Sequence, residues 1–241
     1  MGVAGVAPDS IATERLVGRR LTPADESLFL AFHRDPRVVS WLGGGEEEIS
    51  EQENREWLDE KLRHWEIHGF GLYALFELVA PDGPSIAPPP HAAPPHAASA
   101  AAAPLQPPSP LSVPPGRFVG RAGIHQVDPD VGEVVGDPEA IELIYALAFD
   151  AWGNGFASEI ARRLLEVARD DLGRSGIIAD AVPHNVRSRR VMEGLGFIYE
   201  REFWHDDHTM VLYRKALSAA GGASPPPAGE PPPAGERSST S

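Results

Sequence analysis

The chain has 241 residues, 42% hydrophobic and 23% charged, with a formal charge of −14 and no cysteine. That size and balance fit one domain with a buried core, and the missing cysteine excludes disulfides, thiolate metal sites and a cysteine nucleophile. The acidic charge argues against a nucleic-acid partner, which needs a basic surface. No apolar run reaches the length of a membrane span, and the N-terminus lacks the basic-then-apolar order of a secretory signal. A cytoplasmic protein with no membrane partner is expected; its oligomeric state, monomer or dimer, stays open.

Residues 1–12 read as a flexible leader, and 15–21 alternate as a first strand. Thr22, Pro23 and Asp25 form a helix start, with a cap, a proline in the first turn and an acid three residues on. That helix is expected to stop near Arg34, ahead of Pro36. Gly43-Gly44-Gly45 reads as a turn. Ser50 with Glu53 is a second capping pair. Trp57, Leu58, Leu62 and Trp65 then make an apolar helix face that Gly69 closes, and 71–79 reads as a strand.

Residues 80–116 break the pattern, with 13 prolines and Asp82 as their one charged residue. Proline at that density forbids helix interiors and central strands, so a disordered insertion is expected within a domain spanning 13–217. Residues 218–241, with PPPAGE twice in tandem, read as a disordered tail.

Strands are expected at 118–126 and 142–149, with a turn at Gly136-Asp137-Pro138 between them. Trp152-Gly153-Asn154-Gly155-Phe156-Ala157 is a small-residue turn, and Ala161, Leu164, Leu165, Ala168 and Leu172 recur at helical spacing behind it, up to Gly173. A strand, a glycine turn and a helix start together suit an anion, because first-turn N–H groups lack partners and the helix dipole is positive there. A strand at 177–182 follows, then a helix that Asn185 caps and Gly196 ends, then strands at 197–203 and 209–213. The order β, α, α, β, β, β, α, β, α, β, β indicates an α+β domain with a mixed sheet.

The segments GRAGI, IELIYAL, WGNGFASE and AVPHNVRSRRVMEGLGF, in this order and spacing, resemble the GNAT N-acetyltransferase superfamily. The Trp-Gly-x-Gly-x-Ala form resembles the branch that acetylates protein N-termini, including those of ribosomal proteins. The resemblance spans 13–217 without the insertion. It implies a mixed, mostly antiparallel sheet flanked by helices and splayed between its fourth and fifth strands, with acetyl-CoA in the split as acetyl donor. By that resemblance Trp152, Gly153, Asn154, Gly155, Phe156, Ala157 and Ser158 form the pyrophosphate loop. The backbone of Leu147, Ala148 and Phe149 pairs with the pantetheine arm, and one of its N–H groups polarises the thioester carbonyl. Asn185 and Ser188 contact the pantetheine or thioester. An ordinary tight turn and a simple helix cap are the plainer accounts of these two segments.

Acetyl transfer to an amine needs a base, because a protonated amine has no lone pair. Glu142 is the first candidate; it can equally be a strand-end carboxylate paired with Arg121 or one that binds the substrate's ammonium. His125 is a second candidate. Glu133, Asp137 and Glu139 read as a solvated acidic loop or as one that attracts a cationic acceptor, and the run Glu46-Glu47-Glu48 as a solvated run, though the resemblance implies that segments near it shape the acceptor cleft. Many family members carry a proton-donating tyrosine where this chain has Met192, so Ser188, Tyr145, Tyr199 or a water is left as the acid. His184 and His205 lack metal-ligand spacing, and no metal is expected. Two functions stand: an N-acetyltransferase that brings acetyl-CoA and a primary amine together for direct attack, the amine being a protein N-terminus or a small molecule, or a non-catalytic acyl-CoA-binding module whose proline-rich segments dock partners.

Overall fold

The computed structural model describes residues 5–41, 48–78, 116–205 and 208–217. The glycine run 43–45, Glu46 and Glu47, nearly all of the proline-rich stretch and the 218–241 tail lie outside the described residues. One eight-stranded sheet organises the rest. Its strands are β1 (Ser10–Ala12), β2 (Leu16–Arg20), β3 (Leu72–Glu77), β4 (Phe118–Gln126), β5 (Ile141–Leu147), β6 (Gly176–Ala181), β7 (Ile198–His205) and β8 (His208–Ala216). They lie in the order β1-β2-β3-β4-β5-β6-β8-β7. Every pair is antiparallel except β5 with β6, whose parallel ladder holds a single register pair, Glu142 with Ile178. These are the fourth and fifth strands of the sequence expectation, and the sheet splays between them.

The leader is not loose over its second half. Ser10–Ala12 pairs with 17–19, Ile11 and Ala7 are buried, and the Ala7 N–H donates to the Gly69 carbonyl at 2.9 Å. The 136–138 turn is preceded by a helix that was not expected, α4 (Pro129–Val135), with Asp128 as its cap, Pro129 in its first turn and Gly136 left-handed at its end. A short α2 (Pro36–Val39) also forms, beginning at the proline that ends α1 (Glu26–His33), and Asp35 caps it by accepting from the Arg37 N–H at 3.0 Å.

Helices cover both faces of the sheet. On one side α1 and α3 (Glu51–His68) pack Phe29, Phe32, Leu58 and Trp57 onto Leu72, Ala74, Phe76, Ile144 and Ala146. On the other, α5 (Phe156–Glu166), continued by a π turn at Val167–Asp171, and α6 (Val186–Gly194) bury Ile160, Leu164 and Met192 against Leu75, Ile124, Leu143 and Leu147. Strand alternation makes this two-sided core possible: Glu142, Ile144 and Ala146 face α3, while Leu143, Tyr145 and Leu147 face α5. Gly120 sits in β4 where β5 leaves no room for a side chain. Its φ is +136°, and a Cβ there would stand 2.2 Å from the Ala146 carbonyl oxygen.

Candidate active site

A cleft of about 1080 Å³ opens where β5 and β6 part. One end is the turn between β5 and α5. Phe149–Ala151 forms a single 3-10 turn, Gly153 and Gly155 both take φ of +77°, and α5 starts at Phe156 with no side-chain cap. The first-turn N–H groups of Phe156, Ala157 and Ser158 are therefore left without intrahelical acceptors at the cleft wall. The turn is braced from behind. Trp152 donates its indole N–H to the Leu147 carbonyl at 2.8 Å, and the Asn154 amide donates to the Ala151 and Trp152 carbonyls, both at 3.2 Å. Glu159 accepts from Thr13 Oγ1 at 2.6 Å and from the Arg15 N–H at 2.9 Å, which ties the first turn of α5 to the turn between β1 and β2. A cradle of open N–H groups at a glycine turn, with nothing bulky in it, fits a pyrophosphate.

Beyond the turn, β5 presents an open backbone edge. Ala148 donates its N–H to the Val119 carbonyl at 2.9 Å, so that group is already spent on β4. Alternation along the ladder then points the N–H groups of Tyr145 and Leu147 into the gap toward β6. Of the three residues 147–149 expected to meet the pantetheine arm, Leu147 thus holds a strand N–H directed at the gap.

Across the gap, α6 brings Asn185 and Ser188. The Asn185 side-chain oxygen accepts the Ser188 N–H at 3.0 Å, so Asn185 is a true helix cap, and its amide reaches the Trp41 carbonyl at 3.5 Å. Ser188 Oγ and the Tyr145 hydroxyl are 2.8 Å apart, and both residues line the cleft. Burial pushes the Tyr145 phenol up to about 12, so it keeps its proton at neutral pH. Met192 is fully buried in the core and does not line the cleft, and Tyr199 packs on Tyr213. Of the proton donors open in the sequence, the structure brings together Ser188 and Tyr145. It also lines the cleft with Arg187, whose guanidinium lies 5.1 Å over the Trp152 ring, and with Arg190. These cations went unassigned in sequence; their signal was the basic run that follows Asn185.

The floor of the cleft, on the α3 face, carries the ionisable groups. Glu142 sits at the one point where β5 and β6 still pair, with its side chain one-fifth accessible. Asp180, two residues beyond the partner of Glu142, shares its face. Burial first, and then the nearby Asp180 and Asp128 charges, raise the Glu142 carboxyl well above its ordinary value, while Lys61 and Arg121 pull it down. Burial raises Asp180 too, opposed by His205. Sequence inspection passed over Asp180, although an acid inside the apolar run Ile177–Val182 was its signal. His125 lies 3.8 Å from Glu142 and stacks on His64 at 3.8 Å. Burial and then the Lys61 charge hold it down to about 3, which favours the neutral ring at neutral pH. Arg121 lines the same floor and makes no ion pair with Glu142 among the described residues, which sets aside that account of the glutamate. Glu48 pairs with Arg34 at 2.9 Å, and His205 with Asp130 at 3.0 Å; both lie outside any three-residue group able to hold a metal among the described residues.

A splayed mixed sheet with an uncapped glycine-turn helix at one end of the split defines an acyl-CoA-dependent transferase fold. The acetyltransferase (GNAT) domain model matches residues 15–198, and the chain belongs to that family, whose acyl donor is acetyl-CoA. It is similar to the uncharacterised protein YkkB of Bacillus subtilis (strain 168), 23% identical over 212 residues that cover 87% of this chain and 96% of the relative. Among solved structures it is similar to the acetyltransferase from Agrobacterium tumefaciens str. C58, with a TM-score of 0.60 at 20% identity, covering 89% of this chain and 98% of the other. It is also similar to RimL, the ribosomal L7/L12 α-N-protein acetyltransferase solved in complex with coenzyme A, with a TM-score of 0.56 at 12% identity, covering 86% and 97%. No helix among the described residues is long and apolar enough to cross a membrane.

Proposed function

We propose that this chain moves the acetyl group of acetyl-CoA to a primary amine by direct attack in a ternary complex, with Glu142 as the base. The observation that carries the reading is the position of Glu142. It is a half-buried carboxyl with raised proton affinity, on the strand whose other end turns into the uncapped α5. One strand thus serves both substrates.

Acetyl-CoA supplies an activated acyl carbon. The N–H groups of 154–158, with Arg187 and Arg190 nearby, hold its phosphates, and the Leu147 N–H polarises the thioester carbonyl. Glu142 takes a proton from the incoming ammonium, directly or through one water, and frees the nitrogen lone pair for attack on that carbon. As the carbon–sulfur bond breaks, the Ser188 hydroxyl, backed by Tyr145, passes a proton to the departing thiolate and is resupplied by the second proton, which the attacking nitrogen loses once the carbon–nitrogen bond has formed; buried Met192 has no means to fill that role. The similarity to RimL supports a protein N-terminal amine as acceptor, and the cleft volume admits small amines as well. The site is expected to work in the cytoplasm.

Initial-rate kinetics against a panel of peptides and small amines, reading CoA thiol release, test this. Intersecting double-reciprocal lines and a loss of roughly 10²- to 10³-fold in kcat/KM for Glu142→Gln are expected. Parallel lines would exclude direct attack, and an E142Q variant as fast as wild type from pH 6 to 9 would exclude Glu142 as the base. Binding of acetyl-CoA without transfer to any amine would favour the acyl-CoA-binding module.

A further inference from the structure

Arg121 is a cation that the fold leaves unanswered. It stands on β4 opposite Ala146, on the face toward α3, with its guanidinium 5.0 Å over the Trp57 ring. Its Nε is buried without a hydrogen-bond partner, the one such side-chain atom among the described residues. Burial lowers its pKa to about 10, with Glu142 opposing, so it remains charged at neutral pH. The same fold pairs its buried Arg19 fully: Arg19 meets Asp25 through two bonds, at 2.8 and 2.6 Å. A half-buried cation with no hydrogen-bonded counter-charge is costly, and here it borders the open cleft.

The charges on the cleft floor run in a set order. Glu142 lies at one end and Arg121 at the other, four residues along the sheet, or roughly 13 Å between backbones, with Asp180 on β6 level with Ile144 between them. Two side chains and a short zwitterion span that distance. A cationic amine belongs beside the carboxyls, and an anion belongs on the guanidinium. The planar fork of arginine suits a carboxylate, whereas a phosphate dianion would face two acids. We propose that Arg121 anchors a carboxylate carried by the acceptor, so that the acceptor class is an aminocarboxylate. This rests on the transfer reading above and narrows its substrate. The carboxylate belongs either to a free amino acid or to an acidic residue next to a peptide N-terminus.

The test compares matched acceptors in the wild type, Arg121→Met and Arg121→Lys: β-alanine with ethylamine, L-phenylalanine with 2-phenylethylamine, and a tetrapeptide with aspartate second against one with asparagine second. The wild type is expected to favour the carboxylate member of at least one pair by tenfold or more in kcat/KM. R121M should shrink that preference by about 10- to 100-fold, as the loss of a charge-assisted hydrogen bond predicts, with R121K in between. A preference in the small-molecule pairs identifies a free aminocarboxylate, and one confined to the tetrapeptides an acidic N-terminus. No preference in any pair, or an equal loss for both members in R121M, overturns the proposal. Calorimetry of N-acetyl-β-alanine and N-ethylacetamide on the CoA-loaded protein needs no turnover. Selective binding of the former that R121M abolishes, in a protein that acetylates no amine, upholds the carboxylate site and sinks the transfer reading. Transfer to amines without that selectivity does the reverse.

Discussion

Replacing Asp180 by Asn isolates the electrostatic control of Glu142. Glu142 pairs with Ile178, and Asp180 is two residues further along the same face. With strands at least about 4.8 Å apart where they part and a rise of about 3.3 Å per residue, the two backbones are about 8–9 Å apart. At an effective dielectric of about 20, a unit charge at that distance is worth about 2 kcal/mol, or about 1.5 pKa units. Asn keeps the shape and removes the charge, so the Glu142 carboxyl, raised by burial and by Asp180, falls toward its ordinary value. The rate rises with pH as Glu142 loses its proton, so the acid limb of kcat/KM should move about one unit or more to lower pH in D180N. The assay is the pH profile of CoA release for both proteins with one amine. The amine's own ionisation is common to both and cancels in the difference. A limb that stays in place, or moves upward, refutes the electrostatic reasoning.

Glu142→Gln should raise the melting temperature more at pH 9 than at pH 5. The folded carboxyl binds its proton more tightly than the unfolded one, so the wild type loses stability as pH rises from the unfolded value through the raised folded one, and Gln does not titrate; equal gains at both pH values would contradict this. Gly120→Ala should cost about 2–4 kcal/mol by urea unfolding, because its Cβ would stand 2.2 Å from the Ala146 oxygen at a positive φ. An Arg187→Met change should raise the KM for acetyl-CoA about three- to tenfold, read from initial rates, through the lost cation at the mouth of the split.

The elements that were legible in the sequence carried local signals strong enough to stand alone. Ser50 with Glu53 and Gly69 bound α3 where the structure has it, and Asn185 caps α6. Of the three missed elements, two had weaker signals. Ser10–Ala12 is too short to show alternation. In α4 the capping set of Asp128, Pro129 and Gly136 was present, but Gly132 stood in the middle of a seven-residue helix. Gly132 is there because a Cβ would sit 3.0 Å from the Cα of Pro138, a contact that no local pattern announces. The site divides in the same way. The glycine turn and Asn185 are contiguous motifs, visible in one dimension. The grouping of Glu142, Asp180 and Arg121 depends on register across three strands, β4, β5 and β6, and a shift of one residue would turn any of them to the opposite face.

The single register pair between β5 and β6 gives the sheet two interior edges. An edge offers backbone donors and acceptors whatever side chains flank it. An extended amide-bearing arm entering there completes the sheet as a missing strand would, through main-chain bonds alone. Donor capture through such an edge is therefore buffered against substitution along β5, whereas on the reading proposed above the choice of acceptor rests on the side chains of Glu142, Asp180 and Arg121 and changes with them. On that reading one half of the active site is written in geometry and the other in sequence, so a change of acceptor needs no change in how the donor is held.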